Sequence, residues 1–276
     1  EIPQGDWSSD VCSSDLAVRT LRSGITPIVL KFQPVYDCYN GEEIAYIGKP
    51  LINSLVYGVL TPELYARAAD MAQEGCDFTL CILRKTMRLL KELDGQERLP
   101  GKLLWLTVPA PSALLLPEDL YDTLKSLMAK ENFDLPGKIC LMFGADVFSL
   151  GSDIGGRGFS DIRAAGMRVA VNGYGDADFP VTRMLEMTPD VAMMTPDVIP
   201  LFGDRSRPRV GGSLVRLAGS MNVRVVAQGV RNDAQLRELN AAECLGFLPA
   251  EDYHGEFTCS SRLLDPEEIL RTPEVS

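Results

Sequence analysis

The chain has 276 residues, of which 46% are hydrophobic and 24% charged, and its formal net charge is −11. A chain of this size can bury one sizeable core. Nucleic acids bind clustered Lys and Arg, so the acidic balance argues against a nucleic-acid polymer as the partner. No apolar run reaches about 18 residues, and no membrane-spanning helix is predicted. Seven cysteines without a CxxC pair or zinc-ligand spacing predict reduced thiols and a cytoplasmic location.

The first 16 residues differ in character from the rest of the chain. Residues 6–16 read DWSSDVCSSDL, which matches the translation of a common sequencing adapter. We therefore expect residues 1–16 to be a non-native or disordered tail and residues 17–276 to form a single domain. On this interpretation, a domain lost upstream of Ala17 is one candidate partner.

From Pro27 onward, strand-like and helix-like blocks alternate along the chain. Asn40-Gly41 separates PIVLKFQPVYD from EEIAYIGKPL and suits a tight hairpin turn. A helical region is predicted from Pro62 to Leu93. The next predicted strands are KLLWLTVPA, KICLMFGA, RVAVNGYG, DVAMMTP and NVRVVAQGV. Helical blocks separate them, which indicates an α/β barrel, although an open doubly wound sheet would use similar pieces.

A barrel of this kind places its functional residues at the carboxyl ends of the strands. Those ends direct attention to Thr107, Met142, Asn172, Gly173, Met193, Gln228 and the segment after Glu243.

Three segments resemble the EAL domain, the barrel of bacterial cyclic di-GMP phosphodiesterases. Residues 32–35 read FQPV, similar to the FQPI strand of that family. RVAVNGYGDADFPVTRML is similar to a segment that usually reads VALDDFGTGYSSL, and AQGVRNDAQLRELNAAEC to AEGVET followed by a helix and a Gly-Cys-Asp turn. The resemblance implies a (β/α)8 TIM-like barrel with an opening antiparallel hairpin. In active relatives it also implies two Mg²⁺ or Mn²⁺ ions that activate water.

The signature that would read EALLR falls on residues 47–51, which read IGKPL. Ile47 stands where the resemblance implies the first metal-binding glutamate, and Leu51 replaces the arginine that grips substrate phosphate. Thr107 replaces a ligand asparagine on the next strand, and Met142 stands at an expected glutamate. Hard divalent cations need charged oxygen ligands, so each loss removes binding energy directly.

The later strand ends show the same kind of change. Asn172 and Gly173 stand in place of the paired aspartates that the resemblance implies. Met193 and Thr195 replace a lysine and an aspartate, and Gln228 replaces the glutamate of AEGVE. We therefore predict no catalytic residue, no metal site, no cofactor and no phosphodiesterase turnover.

The leading interpretation is a catalytically inactive EAL-like domain that acts as a protein-interaction or regulatory module in bacterial cyclic di-GMP signalling. An alternative is a metal-independent cyclic di-GMP receptor, and an active phosphodiesterase is the third. Gln33, Lys49 and Arg231 are the candidate ligand-binding residues, and Arg209 is a further source of positive charge. A homodimer is also left open.

The residues that line the strand ends distinguish the first two interpretations. Lys49 and Arg231 pointing into a basic cleft would favour the receptor. A cleft filled by Ile47, Met142 and Met193 would favour the interaction module.

Several remaining features are assigned structural roles. Residues 151–158 read GSDIGGRG, which lacks the Lys-Ser or Lys-Thr end of a phosphate-binding loop and is predicted to be a flexible connection. His254 is predicted to lie on the surface or in a loop. Asp176 and Asp178 are predicted to cap a helix or lie in a solvated loop. The cysteines predicted to be core residues are Cys76, Cys81 and Cys140.

Overall fold

The computed structural model describes residues 28–54, 58–60, 75–95, 103–203 and 210–271. Its strands are β1 (Ile28–Asp37), β2 (Glu43–Ser54), β3 (Gly58–Leu60), β4 (Trp105–Pro109), β5 (Ile139–Phe143), β6 (Arg168–Tyr174), β7 (Val191–Met194), β8 (Arg224–Asn232) and β9 (Gly246–His254). The predicted tail 1–16, the first part of the predicted helix from Pro62, and Arg209 lie outside the described residues.

Eight of these strands close into a barrel. β2 and β4 to β9 run parallel in chain order, while β1 is antiparallel to both β2 and β9. The closing pairs are Tyr36 with Phe247 and Asp37 with Gly246, and among the described strands β3 pairs with β2 alone. The predicted (β/α)8 barrel with an opening antiparallel hairpin is therefore confirmed, and the open sheet is excluded.

Helices follow most of the barrel strands. They are α1 (Gly75–Gly95), α2 (Leu120–Glu131), α3 (Gly151–Ala164), α4 (Val181–Met187), α5 (Val210–Ser220), α6 (Asp233–Ala241) and α7 (Pro266–Arg271). Short 3-10 turns occupy Ser112–Leu115, Pro136–Lys138, Ala145–Leu150 and Pro196–Leu201.

The opening hairpin turns where Asn40-Gly41 predicts it. The Asp37 side chain accepts hydrogen bonds from the backbone N–H groups of Tyr39 at 2.6 Å and Asn40 at 3.2 Å. Gly41 has φ of 70°, and a Cβ at this position would collide with the ring of Phe257. The turn therefore requires glycine both for its backbone conformation and for its close contact.

Alternate residues of the strands build two separate cores. The outward-facing residues pack against the helices, and the largest of these fully buried side chains are Phe32, Phe143, Tyr174 and Phe247. The inward-facing residues fill the barrel. This inner core is formed by Val35, Ile44, Ala45, Ile47, Trp105, Cys140, Ala170, Val191, Met193, Val226 and Leu248.

The prediction of a flexible connection at residues 151–158 is wrong, because these residues form the first two turns of α3. Glycine weakens an exposed helix, which is why the sequence favours a loop here. In the structure the glycines allow close packing instead. A Cβ at Gly155 would collide with Met187, and one at Gly158 would lie 2.8 Å from Leu115.

Candidate functional site

The carboxyl ends of the barrel strands bring the sequence-predicted positions together. Gln33 pairs with Ile47 across β1 and β2, and Ile47 pairs with Thr107 across β2 and β4. Asn172 of β6 pairs with Met193 of β7 in the same way. We call this end the mouth and define it by Gln33, Ile47, Thr107, Met142, Asn172, Met193 and Gln228.

The floor of the mouth is apolar. Ile47 is 2% exposed and Met193 is 3% exposed, and both belong to the inner core. Met142 is half-buried and packs against the same core. Thr107 is buried beside them. The floor of the mouth is therefore made of Ile47, Met142 and Met193, the arrangement expected of the interaction module.

A neutral amide pair lies above this floor. Gln228 Nε2 of β8 donates a hydrogen bond of 2.8 Å to Asn172 Oδ1 of β6, across the intervening strand β7. Asn172 is exposed and Gln228 is half-buried. Two carboxylates this close would repel each other unless a cation lay between them, whereas two amides satisfy each other directly.

The residue after Asn172 has a backbone conformation that disfavours a second acidic side chain on β6. Gly173 has φ of 92°, a backbone conformation that residues other than glycine rarely adopt. A Cβ at Gly173 would also lie 3.0 Å from the Asp176 carboxylate. Asp176 and Asp178 are exposed in the loop before α4, which has no side-chain cap. They therefore occupy the predicted solvated loop.

Two lysines from neighbouring strands face each other at the edge of the mouth. Lys49 of β2 pairs in register with Lys31 of β1, and both are half-buried. Lys31 forms an ion pair with Asp265 at 3.4 Å. Sequence reasoning misses Lys31, although its spacing of two residues from Gln33 places it on the same face of β1.

Arg231 lies beyond an irregularity in β8 and pairs with the neighbouring strand. Its Nε is 3.6 Å from Asp252 of β9, and both side chains are more than half exposed. Gly229 precedes it with φ of 83°. The guanidinium of Arg231 is thus engaged with Asp252 on the surface.

The other predicted positions occupy less central places. Leu51 is half-buried on β2, opposite Val29 of β1. Thr195 is 8% exposed, and its N–H donates to the Tyr174 carbonyl at 2.9 Å. His254 ends β9 and is exposed, as a surface histidine should be.

The donor chemistry of the mouth does not fit a pair of divalent cations. Within the described residues, no group of three or more His, Cys, Asp and Glu side chains is placed to hold a metal ion. The side chains at the predicted ligand positions are apolar or neutral. Neutral oxygens alone offset little of the cost of removing water from Mg²⁺ or Mn²⁺.

The cysteines near the barrel are packing residues. All six described cysteines are free thiols. Cys140 pairs with Thr107 in register, and burial raises the pKa of its thiol well above the ordinary value. Cys76 and Cys81 are half-buried and pack against the outer core. A buried, protonated thiol is a poor nucleophile.

A cavity of about 470 Å³ lies at the opposite end of the barrel, lined by Leu103, Leu104, Asp134, Leu135, Pro136, Gly137, Lys138 and Arg168. These residues precede or begin β4, β5 and β6, so the cavity is separate from the mouth. Among the described helices, none combines the length and apolarity needed to cross a membrane.

The EAL domain family model matches residues 19–247 of the chain. This match confirms the resemblance drawn from the sequence motifs. Among curated protein sequences, none matches the chain.

Several solved structures share the fold. The EAL enzyme Bd1971 with cAMP and cyclic di-GMP bound has a TM-score of 0.78 at 13% identity, covering 95% of this chain and 68% of its own. An EAL domain protein from Listeria monocytogenes EGD-e has a TM-score of 0.69 at 16% identity, with full coverage of both chains. The FimX EAL domain of Pseudomonas aeruginosa bound to c-di-GMP has a TM-score of 0.72 at 13% identity, covering 86% and 93%.

Proposed function

Because this chain belongs to the EAL domain family, we propose that it is a catalytically inactive member that acts as a protein-interaction or regulatory module in bacterial cyclic di-GMP signalling. The observation that carries the proposal is the hydrogen bond of 2.8 Å between Gln228 and Asn172. These two positions hold carboxylates in the family motif. Here they hold amides that satisfy each other above an apolar floor.

Hydrolysis of a phosphodiester by two metals requires carboxylate ligands and a base that activates water. The mouth supplies Thr107 and three amides as polar groups, and none of these is ionised at neutral pH. Ile47 and Met193 replace a ligand and a base with alkyl and thioether groups. The residues at the mouth therefore neither attract the metals nor generate the nucleophile.

The rest of the fold supports a scaffold role. The outer core is closed around fully buried aromatic residues, so the barrel packs without the metal site. The chain thus keeps a closed, packed barrel while its mouth carries no charged ligand set. Free thiols at all six described cysteines are in keeping with a reducing cytoplasm, where we place the module.

Isothermal titration of the chain with cyclic di-GMP and Mg²⁺ tests the proposal. We expect no binding heat up to about millimolar ligand, which corresponds to a binding free energy weaker than about −4 kcal/mol. We also expect no linear dinucleotide product after incubation with Mn²⁺. Product that forms with Mn²⁺ and disappears with a chelator would contradict the proposal. An EAL enzyme that hydrolyses the ligand serves as the positive control.

A second candidate function is a metal-independent cyclic di-GMP receptor. The observation that favours it is the register pair of Lys31 and Lys49 at the edge of the mouth, since two cations could neutralise a phosphate without metals. The FimX EAL domain, similar in fold, is bound to c-di-GMP in its structure. The ion pair of Lys31 with Asp265 and that of Arg231 with Asp252 weaken this case.

Titration of the chain with cyclic di-GMP in the presence of a chelator tests the receptor. Micromolar binding that Lys49→Ala weakens about tenfold would establish the receptor, since a direct phosphate contact by a cation is worth that much. Lys125→Ala removes an exposed lysine of α2 and is the matched control. Equal affinity in both variants would exclude Lys49 as the phosphate-binding residue.

A further inference from the structure

One segment of α1 is basic in an otherwise acidic chain. Residues 84–91 read RKTMRLLK, with four basic and no acidic residues, whereas the whole chain has a net charge of −11. The buried side of this part of the helix carries Ile82, Leu83, Met87 and Leu90. The cations are exposed on the other side. We call them the basic face of α1 and define it by Arg84, Lys85, Arg88 and Lys91.

Glu131 of α2 binds three of these cations, two through its carboxylate and one through its backbone oxygen. Glu131 accepts hydrogen bonds from Arg88 Nε at 2.9 Å and Nη2 at 3.2 Å, and Arg84 Nε lies 3.2 Å from its Oε1. Lys91 Nζ donates to the backbone oxygen of Glu131 at 2.9 Å. The Glu131 side chain is only 13% exposed, so the pairs that it forms are partly shielded from water.

The basic face retains positive charge after this pairing. The exposed acids Glu92 and Asp94 follow on α1, so the positive charge is confined to residues 84–91, where four cations lie beside one carboxylate. The side chains of Arg84 and Arg88 are 46% and 65% exposed, so their guanidinium groups still reach solvent. Because Glu131 belongs to α2, these pairs join α2 to α1, and the exposed parts of Arg84 and Arg88 face solvent beyond them.

We propose that the basic face of α1 docks an acidic segment of a partner protein. This inference rests on the proposed function, because it assigns a surface to the interaction module. Each guanidinium carries five N–H donors, so Arg84 and Arg88 keep donors for a second carboxylate after pairing with Glu131. Groups that are ordered before binding lose less side-chain entropy on binding. The acidic remainder of the chain would repel a long polyanion, so the segment is short.

Fluorescence anisotropy with a labelled octaglutamate peptide tests the inference on the full chain. The double variant Arg84→Gln/Arg88→Gln is expected to bind at least about tenfold more weakly, since two charge-assisted contacts are lost. Its matched control is Arg183→Gln/Arg262→Gln. These arginines are 48% and 66% exposed and pair with Glu186 and Glu268, so the control removes equal charge from similar surroundings.

A charge-conserving variant protects the experiment against misfolding. Arg88→Lys keeps the positive charge but loses the paired N–H donors, so we expect about threefold weaker peptide binding. Circular dichroism establishes that each variant is folded. Absence of peptide binding by the parent chain would overturn the inference. So would equal weakening in the α1 variant and the control, because the peptide would then sense net charge alone.

Other occupants of the basic face give different results. Loss of a dimer in sedimentation by the α1 variant would identify a second copy of this chain and overturn the inference. Loss of binding to phosphatidylglycerol vesicles, with peptide binding unchanged, would identify a membrane and also overturn it. Titration with cyclic di-GMP in parallel separates the two proposals. Hydrolysis of cyclic di-GMP would contradict the proposed function. If neither the peptide nor cyclic di-GMP binds, only this inference is contradicted.

Discussion

The outer core and the mouth are built from alternating residues of the same strands, yet they differ in how much of the family pattern they keep. On β1, Phe32 is fully buried against the outer layer, and its neighbour Gln33 lies at the mouth. On β6, Tyr174 is fully buried, whereas Asn172, two residues earlier, stands where the family resemblance implies a metal-binding aspartate. Successive strand residues face opposite sides, so packing and chemistry are constrained independently.

This difference has a physical reason. An outward residue that loses its side chain leaves a cavity in a close-packed layer. A mouth carboxylate without its metal is a charge held near other charges, and replacement by an amide or an apolar residue relieves that repulsion. On this argument the barrel should tolerate amide or apolar residues at the mouth better than truncation of the aromatic layer.

The largest expected effect is at the outer core. Phe32→Ala should lower the free energy of unfolding by about 3–5 kcal/mol, because the ring is fully buried and packs edge-on against Tyr46. Urea denaturation measures the change. The adjacent Gln33→Ala is the matched control and should cost less than about 1 kcal/mol. Equal costs for the two variants would show that the mouth is as constrained as the outer core.

The next effect comes from restoring two acids at the mouth. Asn172→Asp/Gln228→Glu should lower the free energy of unfolding by about 2 kcal/mol at pH 7. The hydrogen bond between the two side-chain amides is lost, and two carboxylates face each other instead. The repulsion raises the pKa of one carboxyl in the folded state. That destabilisation is absent below the unfolded pKa, about 4, and grows as pH rises above it.

Denaturation of the double variant and the parent at pH 4 and pH 7 checks this sign. The single variant Asn172→Asp is the control and should be close to neutral, since Gln228 Nε2 still donates to the new carboxylate. Recovery of the double variant by Mg²⁺ would mean that the mouth supplies further ligands. That recovery would contradict both the comparison and the inactive assignment.

Much of the outer layer could be predicted from the sequence. Strand blocks bounded by Gly or Pro locate β1, β2 and β4 to β8, and Asn40-Gly41 locates the hairpin turn. β9 is harder to recognise because Pro249 and two acidic residues interrupt its apolar pattern. The GSDIGGRG segment misleads because glycine signals a loop, and only the packing of α3 against Leu115 and Met187 explains a helix there.

The candidate site could be located from the sequence but its contacts could not. Strand ends identify Asn172 and Gln228, whereas their hydrogen bond depends on both side-chain orientations across β7. The pairing of Lys31 with Lys49 depends on the register of β1 and β2, which the hairpin sets. Arg231, which pairs with Asp252, lies at an irregularity of β8, and no local sequence pattern predicts this ion pair.

A smaller effect is expected at Tyr174, at the carboxyl end of the strand that carries Asn172. Its hydroxyl donates to the Leu214 carbonyl at 2.7 Å, and burial raises its pKa to about 12. Tyr174→Phe should cost about 1 kcal/mol at neutral pH, because that carbonyl loses its donor. Thermal or urea denaturation measures the difference.

The pH dependence of that difference gives a second check. The folded pKa of Tyr174, about 12, lies above the unfolded value of about 10. Its contribution is therefore complete below pH 10 and is lost as pH rises towards 12. The gap between parent and Tyr174→Phe should narrow over this range. A constant gap would mean that the phenol has the same pKa in the folded and unfolded chains.

The smallest effect is expected at Arg231, which forms a surface ion pair with Asp252 of β9. Arg231→Ala should change the free energy of unfolding by less than about 0.5 kcal/mol, because both partners of the pair are exposed and salt screens them. Asp252→Ala removes the other partner and is the control, so a double-mutant cycle isolates the interaction. A coupling energy above about 1 kcal/mol would mean that the pair supports the mouth more than its exposure implies. If Arg231→Ala instead left stability unchanged and abolished cyclic di-GMP binding, Arg231 would be a ligand-binding residue and the receptor would replace the interaction module.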